Sequence, residues 1–168
     1  MLYQVGDQVI HWSHGPGVIT GLDEKCLSGE TRLFYVVEMS NSTIWVPVDD
    51  VGEKSLHLPI PDTRFMECLE ILNDPGEELP EDRSERQKQL AQRIKIRTLE
   101  DICAIIRDLV SRSRTQKLNR YDTDILNRAM ELLLNEWEFS LGTPRANAQR
   151  KLHHLLGFDL ATSGTHSA

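Results

Sequence analysis

Near residue 61 the spacing of apolar residues changes from two to three or four, and one regular architecture cannot accommodate both patterns. Upstream, Gln8–Trp12, Gly17–Gly21, Arg32–Glu38 and Thr43–Pro47 are short runs rich in β-branched and aromatic residues. Turn residues separate them: Gly6-Asp7, His14-Gly15-Pro16-Gly17, Ser28-Gly29-Glu30 and Ser40-Asn41-Ser42. This spacing predicts four or five short strands, too few for a sandwich and enough for a small, strongly bent barrel. Residues 51–60 read as a connection.

Downstream the pattern is helical. Pro61-Asp62 opens a short helix with Phe65, Met66, Leu69 and Leu72 on one face, and Asn73-Asp74-Pro75-Gly76 stops it. Glu77–Asp82 is an acidic loop, and a second helix is predicted over about Ser84–Ile96. Thr98, with Asp101 three positions on, forms a capping-box variant. It precedes a stripe of Leu99, Ile102, Cys103, Ile106, Leu109 and Val110. Asn119 caps the longest helix, which turns Ile125, Leu126, Ala129, Met130, Leu132, Leu133 and Trp137 inward and ends at Gly142. Thr143 as cap and Pro144 at the first helical position open a last helix, with Leu152, Leu155 and Leu156 as its apolar face and Gly157 at its end. The chain therefore reads as α+β with two domains. Residues 1–60 form a small SH3/Tudor-like β-barrel, residues 61–160 an all-α helical domain, and residues 161–168 a flexible tail.

No run of about 18 apolar residues is present, which excludes a spanning helix. The opening Met1-Leu-Tyr-Gln-Val-Gly-Asp lacks the basic-then-apolar order of a signal peptide, and cysteines at 26, 68 and 103 suit a reducing compartment. A cytoplasmic location follows as the expectation. The groups that would carry catalysis do not assemble. His11 and His14 lie near Asp7, but alternation along a strand places one at the barrel mouth and the other in a turn, so no metal site is expected. His153 and His154 point about 100° apart on a helix and cannot chelate together. Gly15-Pro16-Gly17 lies between strands rather than before a helix, so it is no phosphate loop. Asp49-Asp50 and Glu77-Glu78 sit in solvated loops. Neither catalytic residues nor a cofactor are expected. Trp137 belongs to a core, whereas Trp12 or Trp45 can anchor a partner on a barrel too small to bury every large side chain.

Charge is distributed unevenly. The formal total of −7, from 19 basic and 26 acidic residues, argues against polyanions only while it is treated as uniform. Residues 83–120 hold 11 basic and 4 acidic groups, a local +7, and every other segment is net acidic. Arg83, Arg86, Lys88, Arg93, Lys95 and Arg97 have few acidic neighbours, with Glu85 alone among them before Glu100. Arg86, Arg93 and Arg97 fall within about 40° of a common helical face. Arg112, Arg114, Lys117 and Arg120 form a second cluster. One reading is the solvated side of two amphipathic helices. The other is a surface for duplex backbone, with Gln87, Gln89 and Gln92 as additional donors.

Val5-Gly6-Asp7, Val9, His14-Gly15, Gly17 and Ile19, preceded by the aromatic Tyr3, resemble the opening of CarD/CdnL-type bacterial transcription regulators. The likeness continues through Ser28-Gly29-Glu30, Phe34–Val37 and Val46-Pro47, and resumes at Ile105–Leu109 and Ala129–Leu134, covering roughly residues 1–140. The barrel also resembles the polymerase-interacting module of the transcription-repair coupling factor, but the helical remainder carries no helicase motif. The resemblance implies that the barrel docks on the β subunit of RNA polymerase. It also implies that the helical domain contacts promoter DNA at the upstream edge of the bubble, mainly through its backbone, and stabilises the melted complex. Carried over residue by residue, it implies polymerase contacts at Lys25, which keeps the family's charge, and at Trp45, which replaces a basic residue. It implies DNA contacts at Arg86 and Lys88, to which the basic run adds Arg93 and Arg97. Arg83 occupies the position of a tryptophan wedge, and Thr123 stands where a lysine is lost. An arginine offers less apolar surface to an unstacked base step than a tryptophan does, so weaker bubble stabilisation is expected. A monomer acting away from membranes is expected. Its acidic remainder would oppose loose binding along bulk DNA, leaving the polymerase to deliver the basic helices. A protein-interaction adaptor that never meets DNA is the alternative, and an enzyme is disfavoured by the missing groups.

Overall fold

The structure, a computed structural model, describes residues 2–50 and 55–157. The chain divides between Pro59 and Ile60 into two compact units. The expected tail at 161–168 and part of the expected connection, residues 51–54, lie outside the described residues.

The first unit is a five-stranded antiparallel, barrel-like sheet. Its strands are β1 (Gln8–His11), β2 (Gly15–Leu27), β3 (Glu30–Met39), β4 (Thr43–Pro47) and β5 (Leu56–His57), in the order β4-β3-β2-β1-β5. Alternation along β3 sends Tyr35, Val37 and Met39 inward, where they meet Tyr3, Val9, Ile19, Val46 and Leu56. A register shift between Ile19 and Gly21 bends the β2–β3 ribbon. Two tyrosine hydroxyls hold the N-terminal segment: Tyr3 donates to the Leu56 carbonyl at 2.9 Å, and Tyr35 accepts from the Leu2 and Tyr3 amides at 3.1 Å.

Three expectations are corrected in this unit. β2 runs on to Leu27, six residues beyond Gly21, because Asp23 to Leu27 pair with β3 as an exposed ribbon. The turn after β1 occupies residues 12–14, while Gly15, Pro16 and Gly17 already pair with β1. Residues 56–57, expected in a connection, form β5 against β1 with both side chains buried. A two-residue strand is too short to display alternation.

The motif glycines build this sheet. Gly6 has φ +98°, a region open to glycine, and its amide donates to the Ile19 carbonyl at 2.7 Å. A Cβ on Gly17 would meet the Met39 sulfur and lie 2.8 Å from Val37 Cγ1 and 2.9 Å from the Glu38 carbonyl.

The second unit comprises α1 (Asp62–Glu70) with a 3-10 turn at Ile71–Asn73, α2 (Arg83–Ile96), α3 (Leu99–Ser113), α4 (Arg120–Leu141) and α5 (Arg145–Leu155). α3 is its most buried element: Leu99, Ile102, Cys103, Ile105, Ile106, Leu109 and Val110 are all enclosed. Three side-chain caps start the long helices. Asp82 accepts from the Glu85 amide at 2.9 Å, Thr98 from Asp101 at 3.2 Å and Asn119 from Asp122 at 2.8 Å. Phe65 and Trp137 pack with ring centroids 5.5 Å apart. Two local expectations change. Met66 is 55 % exposed, and Cys68 takes its place on the buried face of α1 with Phe65 and Leu69. Pro144 itself caps α5, its carbonyl accepting from the Ala148 amide at 3.0 Å, and Thr143 lies outside the helix.

Gly17→Ala is expected to destabilise the first unit by about 1–3 kcal/mol through overpacking against β3. Urea unfolding followed by tryptophan fluorescence measures this, and an unchanged midpoint would contradict the close approach.

Candidate docking and nucleic-acid surfaces

β4 is an edge of the sheet, so its outer backbone groups are unpaired within it. Trp45 on this strand is 43 % exposed and is fixed from β2. Its indole N–H donates to Asp23 Oδ2 at 3.1 Å, and Lys25 Nζ stands 3.8 Å from its ring centroid. A cation over an exposed indole contributes about 0.5–1 kcal/mol and holds both groups in a defined place. Phe34, on the same sheet face by register, is 7 % exposed although it is outside the barrel core. The two expected polymerase-contact residues, Lys25 and Trp45, thus meet on one side of the sheet. Spacing hides their pairing, because Gly21 reads as the end of β2 and leaves Lys25 outside it.

His11 and His14 come together differently. Their ring centroids are 4.8 Å apart, with the Ser13 hydroxyl 3.1 Å and 2.7 Å from their Nδ1 atoms. Burial, with the neighbouring His14, pushes the His11 pKa below its usual value. Among the described residues, no group of three or more His, Cys, Asp or Glu side chains is placed to hold a metal ion. Burial pushes the Cys103 thiol far above its ordinary pKa, so it is not an activated nucleophile.

The helical unit divides the basic run into two populations. Arg86, expected at a DNA surface, is 5 % exposed. Its Nε lies 3.1 Å from both Asp122 carboxylate oxygens, and its Nη1 donates to the Pro80 and Glu81 carbonyls at 3.0 and 3.1 Å. Arg93 donates to Asp108 at 2.9 Å, and that carboxylate also accepts from Arg107 and the Glu77 amide, both at 2.9 Å. Arg97 ends α2 in the left-handed region at φ +56°, and burial beside Arg128 lowers its pKa. The face shared by Arg86, Arg93 and Arg97 therefore turns toward the fold, with Arg86 buried and Arg93 and Arg97 half-buried. The signal was available: Leu90 and Ile94, the buried apolar residues of this helix, fall on that same face.

Arg83, Lys88 and Lys95 are exposed, and none makes an ion pair among the described residues. Lys88 and Lys95 lie on one outward line about 10 Å apart along the helix, with Gln92 beside them. Arg83 is the first residue of α2. The second cluster divides similarly. Arg112 reaches Glu81 at 3.5 Å and Arg114 the Leu156 carbonyl at 2.9 Å, whereas Lys117 and Arg120 are exposed. Arg120 adjoins Tyr121, whose hydroxyl donates to the Gln87 carbonyl at 3.4 Å, which brings the start of α4 beside the first turns of α2. Thr123, one residue past Asp122, uses its hydroxyl to bond the Asn119 carbonyl at 3.0 Å.

Two family models match the chain. The one described as CarD, C-terminal domain covers residues 67–153, and the one described as CarD-like/TRCF RID domain covers residues 3–57. YdeB, a candidate transcription factor of Bacillus subtilis (strain 168), is 27 % identical over 150 residues, spanning 84 % of this chain and 94 % of that protein. Among the described residues no helix is long and apolar enough to cross a membrane.

Arg86→Ala is expected to cost the helical unit about 3–5 kcal/mol, because it leaves Asp122 buried and uncompensated. Lys88→Ala should change stability by no more than about 0.5 kcal/mol. Urea titration followed by circular dichroism separates them, and equal effects would return Arg86 to the surface set.

Proposed function

The chain belongs to the CarD family, whose setting is the regulation of transcription, and from that premise we infer that it joins RNA polymerase to promoter DNA. The barrel-like unit docks on the polymerase β subunit through the Trp45–Lys25 side of the sheet and the open edge of β4. An added strand would satisfy that edge's backbone, and the exposed indole would serve as an anchor. The helical unit then contacts the DNA backbone near the upstream edge of the bubble through Arg83, Lys88 and Lys95, and modulates the stability of the open complex.

The observation that carries this reading is the division of α2. A helix that commits its inward arginines to buried carboxylates still presents Arg83, Lys88 and Lys95 outward without carboxylate partners among the described residues. A chain of net charge −7 gains little from exposed cations without carboxylate partners unless a polyanion meets them. No aromatic side chain interrupts Arg83–Ile96, which suits phosphate contact better than stacking on single strands. At the wedge position, Arg83 can enter a narrow, negative minor groove but cannot hold a base step open as a tryptophan would.

Two outcomes test this. Replacing Arg83, Lys88 and Lys95 together by Gln should leave polymerase affinity intact and remove the protein's effect on open-complex lifetime. It should also flatten the dependence of log affinity on log salt by about 0.9 for each phosphate no longer neutralised. An unchanged lifetime would favour the adaptor that does not touch DNA. Arg83→Trp should lengthen the open-complex lifetime beyond that of the natural protein, and a lifetime equal or shorter would contradict the weak-wedge reading. On the barrel, Trp45→Ala should weaken binding to the polymerase β subunit about tenfold, or ~1.4 kcal/mol, as read by titration calorimetry.

A further inference from the structure

Away from the basic side of α2, the helical unit holds an open groove of about 610 Å³ between α1, α4 and α5. Met66 and Leu69 of α1 form one side, Trp137 of α4 the floor, and Leu155 of α5 part of the other. Trp137 is about 22 Å along α4 from Asp122, so this groove is separate from the end of the helix that holds α2. Met66, which sequence periodicity would place in the core, is 55 % exposed here. Trp137 is 3 % exposed and forms the base of the groove, whereas the exposed methionine above it is of a kind enriched at protein interfaces.

The α5 wall is unusual in charge. Its groove-facing residues follow one helical stripe, with Arg150, Lys151 and His154 at its rim, and the groove lining contains no carboxylate. The whole of α5, Arg145–Leu155, has no acidic residue. Arg145 is neutralised within the fold by Glu131 and Glu138 of α4. Arg150 reaches only the Asn147 side chain, and Lys151 makes no ion pair among the described residues.

We propose that this groove docks an acidic amphipathic helix of a protein partner, its apolar side chains against Met66, Trp137 and Leu155 and its carboxylates against Arg150 and Lys151. Three observations select that occupant. The walls are helices with their backbones already bonded, so an extended segment would find no partners for its own N–H and C=O groups on an apolar floor, whereas a helix satisfies them internally. The cationic α5 side of the groove asks for the opposite sign. The same rim disfavours a second copy of this chain, because a two-fold contact would set Arg150 and Lys151 against their equivalents. The chain's own residues 158–168 offer Phe158 and Leu160 as large apolar groups and Asp159 as a single acidic side chain, too little for a groove with a wall of more than two helical turns.

Fluorescence anisotropy on the full chain tests the proposal. The probe is a fluorescein-labelled helical peptide with leucines at i, i+3, i+4 and i+7 and glutamates elsewhere, beside the same peptide with lysine for glutamate. Met66 and Lys151 are exposed, so Met66→Glu and Lys151→Glu leave the fold intact, which circular dichroism checks. The glutamate peptide should bind, the lysine peptide should bind at least tenfold more weakly, and each substitution should weaken the glutamate peptide at least tenfold. Absent or charge-blind binding, or binding that both substitutions leave unchanged, would overturn the proposal. Binding that appears only after removal of residues 158–168 would assign the groove to the tail. A dimer in sedimentation that Met66→Glu dissolves would assign it to a second copy.

Discussion

The ion pair between Arg86 and Asp122 decides what the rest of α2 can do. This helix buries only Leu90 and Ile94 among its apolar residues, too little area to hold a helix of 14 residues by hydrophobic packing alone. The guanidinium of Arg86 adds a second attachment of defined geometry. It ties α2 to the first turn of α4 and, through the Pro80 and Glu81 carbonyls, to the acidic loop. Asp108 repeats the device one helix away, gathering Arg93, Arg107 and the Glu77 amide. Buried pairs of this kind add little net stability over an apolar substitute, but their geometry is specific. Here they set the rotation of α2 about its axis, and that rotation turns Lys88 and Lys95 outward.

The two units are built on different physical terms. In the barrel-like unit, close approach dominates: Gly17 lets β2 lie against β3, and two tyrosine hydroxyls anchor the N-terminal segment. Its outward chemistry includes Trp45 held between Asp23 and Lys25 beside an open strand edge. In the helical unit, buried arginine–aspartate pairs supplement a large apolar core, and outside it Arg83, Lys88 and Lys95 make no ion pair among the described residues. A family likeness spans both units.

Much of this is legible from residues alone. Thr98 and Asn119 cap the helices that spacing predicts they cap, and the α3 stripe from Leu99 to Val110 is buried throughout. Capping and periodicity are local, and local rules survive folding. The failures are equally physical. β5 is two residues long, below the length at which alternation is visible. Met66 lies about 100° around α1 from Phe65, so periodicity counts it as core although only one flank of it is covered. The arginines of α2 mislead because charge is ordinarily a mark of solvent. Arg86 and Asp122 are 36 residues apart in sequence, and no spacing rule joins them before α2 and α4 are in place.

The central claim is a division of labour, with polymerase held by the barrel-like unit and DNA met by the outer face of α2. Hydrogen–deuterium exchange on the full chain in assembled promoter complexes tests it most directly. Adding RNA polymerase alone should slow exchange at Thr43–Pro47, and adding promoter DNA should then slow exchange in the first two turns of α2. Protection of α2 by polymerase alone, with Thr43–Pro47 unchanged, would contradict it.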